Sequence, residues 1–275
     1  MYRHIRIQME TILNMICIKT SAVYITMLNN RIMNIISANG YCTLRNIISN
    51  VHDDCDELKQ YCLDNQDKFK ISTVKDKGLV GKIVEFQLFG NLPNSDSRPD
   101  MDYGDIKTTH FKKMGENKYN AKERLTITNL GDPSKEENIK TIADKDTLKE
   151  TKYYSKMQHG IIVIFRHESE VEYNNIEDVY NKKILGVVHY NLDNIFETYE
   201  DIKKTFDEDY DKIKKCIVEG NVSQAGQTYL HIHKHGCKNG VTRAFGFTNR
   251  FLTRLVSIQL NVPLIKKGKS EYIEL

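Results

Sequence analysis

Residues 161–165 read Ile-Ile-Val-Ile-Phe, five apolar side chains in a row between Gly160 and Arg166. Successive residues of a strand point to opposite faces, so a strand of this composition is buried on both. The run is also too short for an ordinary helix and rich in β-branched residues. It therefore predicts a strand inside a sheet, with other elements laid over it. A chain of 275 residues has room for one large domain or two small ones.

The rest of the pattern supplies those elements. Leu44, Ile47, Ile48, Val51, Cys55, Leu58 and Cys62 recur at helical spacing. A second helix is expected over residues 75–89, with Leu79, Ile83 and Phe86 on one face. Further strands are expected at 105–112, 124–129 and 184–190. Phe206, Tyr210, Ile213 and Ile217 mark one face of an amphipathic helix with an acidic start, Lys214 and Lys215 in its last turn, and Gly220 at its end. Residues 228–235 and 241–247 flank a segment with a glycine at each end, which reads as a hairpin. Thr248 is placed to cap a last helix carrying Phe251, Leu252, Leu255 and Val256. Residues 90–104, with Pro93 and Pro99, read as turns, and 131–149 as a loop. The expected fold class is α/β: a mixed central sheet flanked by helices, with a helical region 1–65 packed on a core domain 66–275.

Six scattered cysteines, with no C-x-x-C pair, suit a reduced intracellular protein rather than a disulfide scaffold. Asn14 and Lys19 interrupt the apolar run at 11–27, so it reads as a core helix or strand, not an export signal or a membrane span. Net charge is only +3, but it is unevenly spread. Residues 222–270 contain no Asp or Glu, while they hold Lys234, Lys238, Arg243, Arg250, Arg254, Lys266, Lys267 and Lys269. Such a stretch is either a solvated basic face or a surface for a polyanion such as nucleic acid.

One segment reads either as an exposed, charged strand end or as a site for phosphodiester hydrolysis. Pro99-Asp100-Met101-Asp102-Tyr103-Gly104-Asp105-Ile106-Lys107 has the form P-D-x4-D-x-K. Two acidic oxygens close together hold Mg²⁺, which neutralises phosphate charge and activates water. Asp105 and Lys107, two apart on a strand, share a face, so the ammonium can orient the attacking water. Asp96 and Asp102 compete with Asp100 for the second carboxylate. Glu85, on the 75–89 helix, either joins this site or lies on the polar stripe. Lys156, just before the 161–165 strand, either stabilises phosphate charge or is solvated. His231, His233 and His235 alternate, so they share a strand face with Cys237 beyond them. They read as a phosphate-contacting strand, with zinc as the alternative.

Together these segments resemble the MutH family, which includes the mismatch-repair nicking endonuclease and the Sau-type restriction enzymes that cut at GATC. The likeness rests on five stretches. Lys75-Asp76-Lys77-Gly78-Leu79-Val80-Gly81, continuing to Glu85, is similar to the family's K-G-x-V-G-x-x-x-E helix. Pro99-Asp100 with Asp105-Ile106-Lys107 resembles its metal site. Ala121-Lys122-Glu123-Arg124-Leu125 resembles the K-E-R-L strand of the restriction branch. The helix containing Asp207 and Tyr210 resembles its D-W-x-x-I helix. Gly226-Gln227-Thr228-Tyr229-Leu230 and Arg243-Ala244-Phe245 resemble its DNA-reading hairpin. Asp105 stands where the family usually has Glu.

The resemblance implies a restriction-endonuclease-like PD-(D/E)xK fold and a magnesium-dependent endonuclease of restriction type, cutting duplex DNA at GATC or a relative and leaving 5′-phosphates. Asp100 and Asp105 would bind the metal, Lys107 would assist the water, and Glu85 and Lys156 would complete the site. Tyr229, His231, Lys234, Lys238, Arg243 and Arg250 would contact DNA. Cutting both strands would take a homodimer or two visits. A methyltransferase would protect host DNA, and the setting would be a prokaryotic cytoplasm or a virus. The alternatives are a nicking repair endonuclease and a DNA-binding module without catalysis.

Overall fold

The apolar run at 161–165 lies in a strand, β5 (His159–His167), and each of its five residues is at most 1% exposed. It is one of ten strands in a computed structural model that describes residues 22–69, 76, 78–92, 104–131, 141–169, 175–220, 226–235, 242–268 and 270–275. The chain is mixed α/β. It divides into two compact units, Met1–Thr108 with Ile161–His189, and Thr109–Gly160 with Tyr190–Leu275. The division does not fall at residue 65. Among the described residues no helix is long and apolar enough to cross a membrane.

In the first unit the helices are α1 (Ala22–Asn39), α2 (Leu44–Asp53), α3 (Asp56–Asp64), α4 (Leu79–Phe89) and α6 (Ile176–Tyr180). Its strands are β1 (Cys42–Thr43), β6 (Lys183–Asn191), β5 and the start of β2 (Asp105–Gly115), in the order β1-β6-β5-β2. The apolar stripe at 44–62 folds as two helices, because the chain turns at Asp54 and Cys55. Thr43 and Asn46 form a reciprocal capping box that starts α2. Leu28, Leu44, Ile47, Ile83, Phe86, Ile106, Val163 and Val187 share one core, so the N-terminal helices and the strands are a single folding unit. Asn29 of α1 donates to the Val187 carbonyl and accepts from its N–H, tying helix to sheet. Helix α4 starts at Leu79, later than the expected 75, and ends at Gly90. That glycine has φ +65°, and a Cβ there would stand 3.1 Å from Leu58.

The second unit holds two sheets. One runs from the rest of β2 through β3 (Lys118–Ala121) and β10 (Ser270–Glu274) to β9 (Leu264–Lys267). The other has the order β4-β8-β7, from Leu125–Gly131, Arg243–Phe247 and Leu230–Lys234. The expected hairpin is present: β7 and β8 pair antiparallel, Leu230 opposite Phe247 and Lys234 opposite Arg243. The helices are α5 (Tyr154–Met157), α7 (Leu192–Thr198), α8 (Glu200–Val218) and α9 (Asn249–Leu260). Thr248 caps α9 as its sequence position predicts, accepting from the N–H of Phe251. Phe206 of α8 is the hub of the core, with ring centroids 4.8 Å from Phe251, 5.1 Å from Phe196 and 6.0 Å from Phe247.

Candidate active site and nucleic-acid surface

Strand β2 opens on the two residues that its alternation predicts to share a face. Asp105 is buried, and the Lys107 Nζ lies 2.7 Å from its Oδ2. The Lys107 side chain is 27% exposed, so the ammonium reaches outward from a carboxylate that does not. Carboxylate oxygens are the donors that magnesium takes, and Asp105 supplies one already beside a cation. Asp100, with its competitors Asp96 and Asp102, lies outside the described residues. Among the described residues no three His, Cys, Asp or Glu side chains come together to hold a metal ion.

Glu85 is carried by α4 in the same unit. A Cβ on Gly81 would stand 3.9 Å from the Glu85 Oε1 and 3.8 Å from the Thr108 Oγ1. Both are ordinary van der Waals distances, and they place the Glu85 carboxylate and the Thr108 hydroxyl on the same side of Gly81. Thr108 is one step beyond Lys107, so Glu85 approaches the strand on the flank that alternation assigns to Thr108. Lys156 sits in α5, half-buried, in the second unit.

The residues expected to contact DNA separate into buried and exposed ones. Tyr229 is 4% exposed; its ring packs on Phe206 and Phe251, and its hydroxyl accepts from the Arg254 guanidinium at 2.7 Å. Its ring thus belongs to the aromatic core, and its one side-chain polar atom is engaged by Arg254. The Ala121–Leu125 stretch is a turn between β3 and β4, not a strand, and leaves Lys122, Glu123 and Arg124 exposed. Lys234 is exposed and stands opposite half-buried Arg243. Lys238 lies outside the described residues.

Three cations of the acid-free stretch are neutralised in the fold. Arg250 and Lys266 meet Glu271, at 3.0 and 3.7 Å, and Arg254 meets Asp201 at 2.6 Å. Both carboxylates lie outside 222–270, one in α8 and one in β10, so the sequence window conceals the pairing.

His231 and His233 are 9% and 4% exposed and stack with ring centroids 4.7 Å apart, interplanar angle 20°. Ring lone pairs lie in the ring plane, so two stacked imidazoles cannot both point at one ion, and this pair does not make the zinc site considered from sequence. Burial holds both rings neutral, moving the His231 pKa down to about 4 with Arg124 adding to the effect. The same desolvation, with smaller pushes from His231, Arg124 and His235, takes His233 down to about 3.

Sequence reasoning missed Asp209. It is fully buried in α8 and accepts from the backbone N–H groups of Thr228, Tyr229 and Leu230, at 2.5–3.1 Å. One carboxylate thus fixes where β7 begins. A signal was present: Asp209 falls on the apolar stripe between Phe206 and Ile213, where an acid is out of place unless it is bonded.

No protein-family model matches the chain, and no curated protein matches it.

Proposed function

We propose that the chain is a magnesium-dependent DNA endonuclease of restriction type, acting at GATC or a related site. The observation that carries this reading is the buried Asp105 with the Lys107 ammonium 2.7 Å away at the start of β2. A buried carboxylate and a partly exposed lysine, held together on a strand, are the two elements that metal-assisted phosphodiester cleavage asks of a protein. Mg²⁺, held by Asp105 and Asp100, would supply charge neutralisation and a more acidic water. Lys107 stabilises negative charge near the scissile phosphate and orients the water, its own position fixed by Asp105. Glu85 reaches β2 on the flank of Thr108, opposite the face shared by Asp105 and Lys107, so its part in the site is assigned by the resemblance alone. By the resemblance, Lys156 would stabilise phosphate charge. Exposed cations of the second unit, Lys122, Arg124 and Lys234, would contact the phosphates that position the duplex. A protecting methyltransferase would be the partner such an activity requires.

The test is digestion of unmethylated and methylated plasmid with magnesium, together with Asp105→Ala and Lys107→Ala. Both variants are expected to lose cleavage by about a hundredfold or more while keeping most duplex affinity. Cleavage at the parent rate by either variant would remove the site assignment. Duplex binding by the parent with no magnesium-dependent cleavage would leave only a DNA-binding module.

A further inference from the structure

We propose that the β2-β3-β10-β9 sheet of the second unit binds single-stranded nucleic acid on the face turned away from α9. The register defines that face, because residues opposite one another in an antiparallel sheet point the same way. Phe111 stands opposite Ala121, Tyr119 opposite Ile273, and Ile273 opposite Leu264. On this side Tyr119, Ala121 and Ile273 are buried and α9 lies over them. The Ala121 N–H donates to the Thr253 Oγ1 of that helix at 3.0 Å, and Arg250 reaches from it to Glu271.

The residues in between face the other way. Lys112 stands opposite Asn120, Lys118 opposite Glu274, Tyr272 opposite Ile265, and Ser270 opposite Lys267. One further step of the β3–β10 register puts Tyr272 beside Asn120. Lys112, Lys118, Asn120, Ile265 and Tyr272 are half-buried and Lys267 is exposed, so solvent reaches this face on all four strands.

Three lysines, from β2, β3 and β9, thus share a face on which these strands place one carboxylate, Glu274. That acid stands 3.9 Å from Lys118. Lys112 and Lys267 meet no carboxylate among the described residues. One acid among three ammoniums leaves the face positive, the complement of a phosphate backbone. The Lys118 Nζ also lies 5.4 Å from the centroid of the Tyr272 ring. An ammonium takes that place only where a ring presents its face. A base can stack there once the flexible lysine stem swings aside to a phosphate, and Ile265 extends the apolar surface beside it.

Width decides between a single strand and a duplex. Adjacent strands lie about 4.8 Å apart, so the outer two of the four are about 14 Å apart before side chains are added. The major groove, about 12 Å wide, takes a helix or a two-stranded ribbon and not this face. A single strand instead lays its bases on an open sheet, where an aromatic ring stacks them and lysines follow the backbone. This surface does not depend on the nuclease reading.

The experiment is fluorescence anisotropy with the full-length protein in EDTA across a salt series. The probes are a labelled oligothymidylate of about 20 nucleotides, longer than one binding site, and a duplex of the same length. Lys112→Ala and Lys267→Ala should each weaken single-strand binding about threefold or more and lower its salt slope by about 0.7. Tyr272→Leu, which keeps an apolar strand residue, should weaken it about fivefold or more, and Tyr272→Phe, which keeps the ring, should bind as the parent does. Duplex affinity should change little in all four. The proposal is overturned if the parent does not bind the single strand, or if the variant carrying both lysine changes binds it as tightly as the parent. Equal weakening of duplex and single strand would also overturn it, since the face would then be a duplex contact. Single-strand binding by a protein that does not cut duplex would spare this surface and sink the nuclease reading. Magnesium-dependent cleavage of duplex without single-strand binding would do the reverse.

Discussion

Single residues carry unequal weight here, and Asp209 is the clearest case. Its carboxylate is fully buried and accepts from three successive backbone N–H groups at the entrance to β7. Hydrogen bonds to a charged group contribute about 1.5–3 kcal/mol each, and donors left unpaired cost about 1–3 kcal/mol. Asp209→Ala is therefore expected to destabilise the protein by about 3 kcal/mol or more, read as a lower urea midpoint. A midpoint equal to the parent's would show that these bonds do not hold the segment. Asp209→Asn should fall between, since its amide oxygen keeps one acceptor while its NH₂ opposes a donor. Tyr229 argues the converse. The resemblance makes it a contact to the target; in the fold its ring joins the aromatic core and Arg254 donates to its hydroxyl.

At the scale of elements, the three-stranded sheet should respond to acid. The unfolded chain protonates its histidines near pH 6.5, whereas His231 and His233 in the fold stay neutral down to about 4 and about 3. Depressed values mean that the unfolded state takes up protons first. The stability linked to these rings is whole above about pH 6.5 and is lost as pH falls toward 4. One unit of displacement is about 1.4 kcal/mol, so by pH 4 the pair removes on the order of several kcal/mol. Urea melts followed by circular dichroism should show a midpoint falling steeply between about pH 6.5 and 4, and His233→Gln should flatten that slope. A midpoint flat across that window would contradict the burial of the rings. Helix α9 offers a smaller test. Thr248→Ala removes its N-cap and should cost about 1 kcal/mol, read as a lower urea midpoint; an unchanged midpoint would exclude a stabilising cap.

For the whole molecule, the charge balance separates cations that face solvent from cations already paired. If the chain binds duplex, Arg124→Ala and Lys234→Ala should each lower the salt dependence of affinity by about one counterion. Arg250→Ala should change it little, because its guanidinium is held by Glu271. Equal effects from all three, measured by fluorescence anisotropy across a salt series, would mean that the ion pairs open on binding. The long elements were legible because each has a strong local pattern. The run at 161–165, the stripe of α8, the β7–β8 hairpin and the Thr248 cap each encode their own structure. Strands β3, β9 and β10 were not legible, because short strands are stabilised by partners distant in sequence: Ile273 pairs with Tyr119, across more than half the chain.

The same division runs through the candidate site. Asp105 and Lys107 could be placed side by side from sequence alone, because the two-residue period of a strand is a local property and both belong to one strand. What the sequence could not decide was where distant side chains would meet. Glu271 neutralising Arg250, Asp209 gripping the start of β7, and two imidazoles sharing the space above Gly246 all join segments whose proximity is set by packing, not by spacing. The acid-free stretch is a fact of the chain, but which of its cations still face solvent is decided only when the carboxylates of α8 and β10 fold against them.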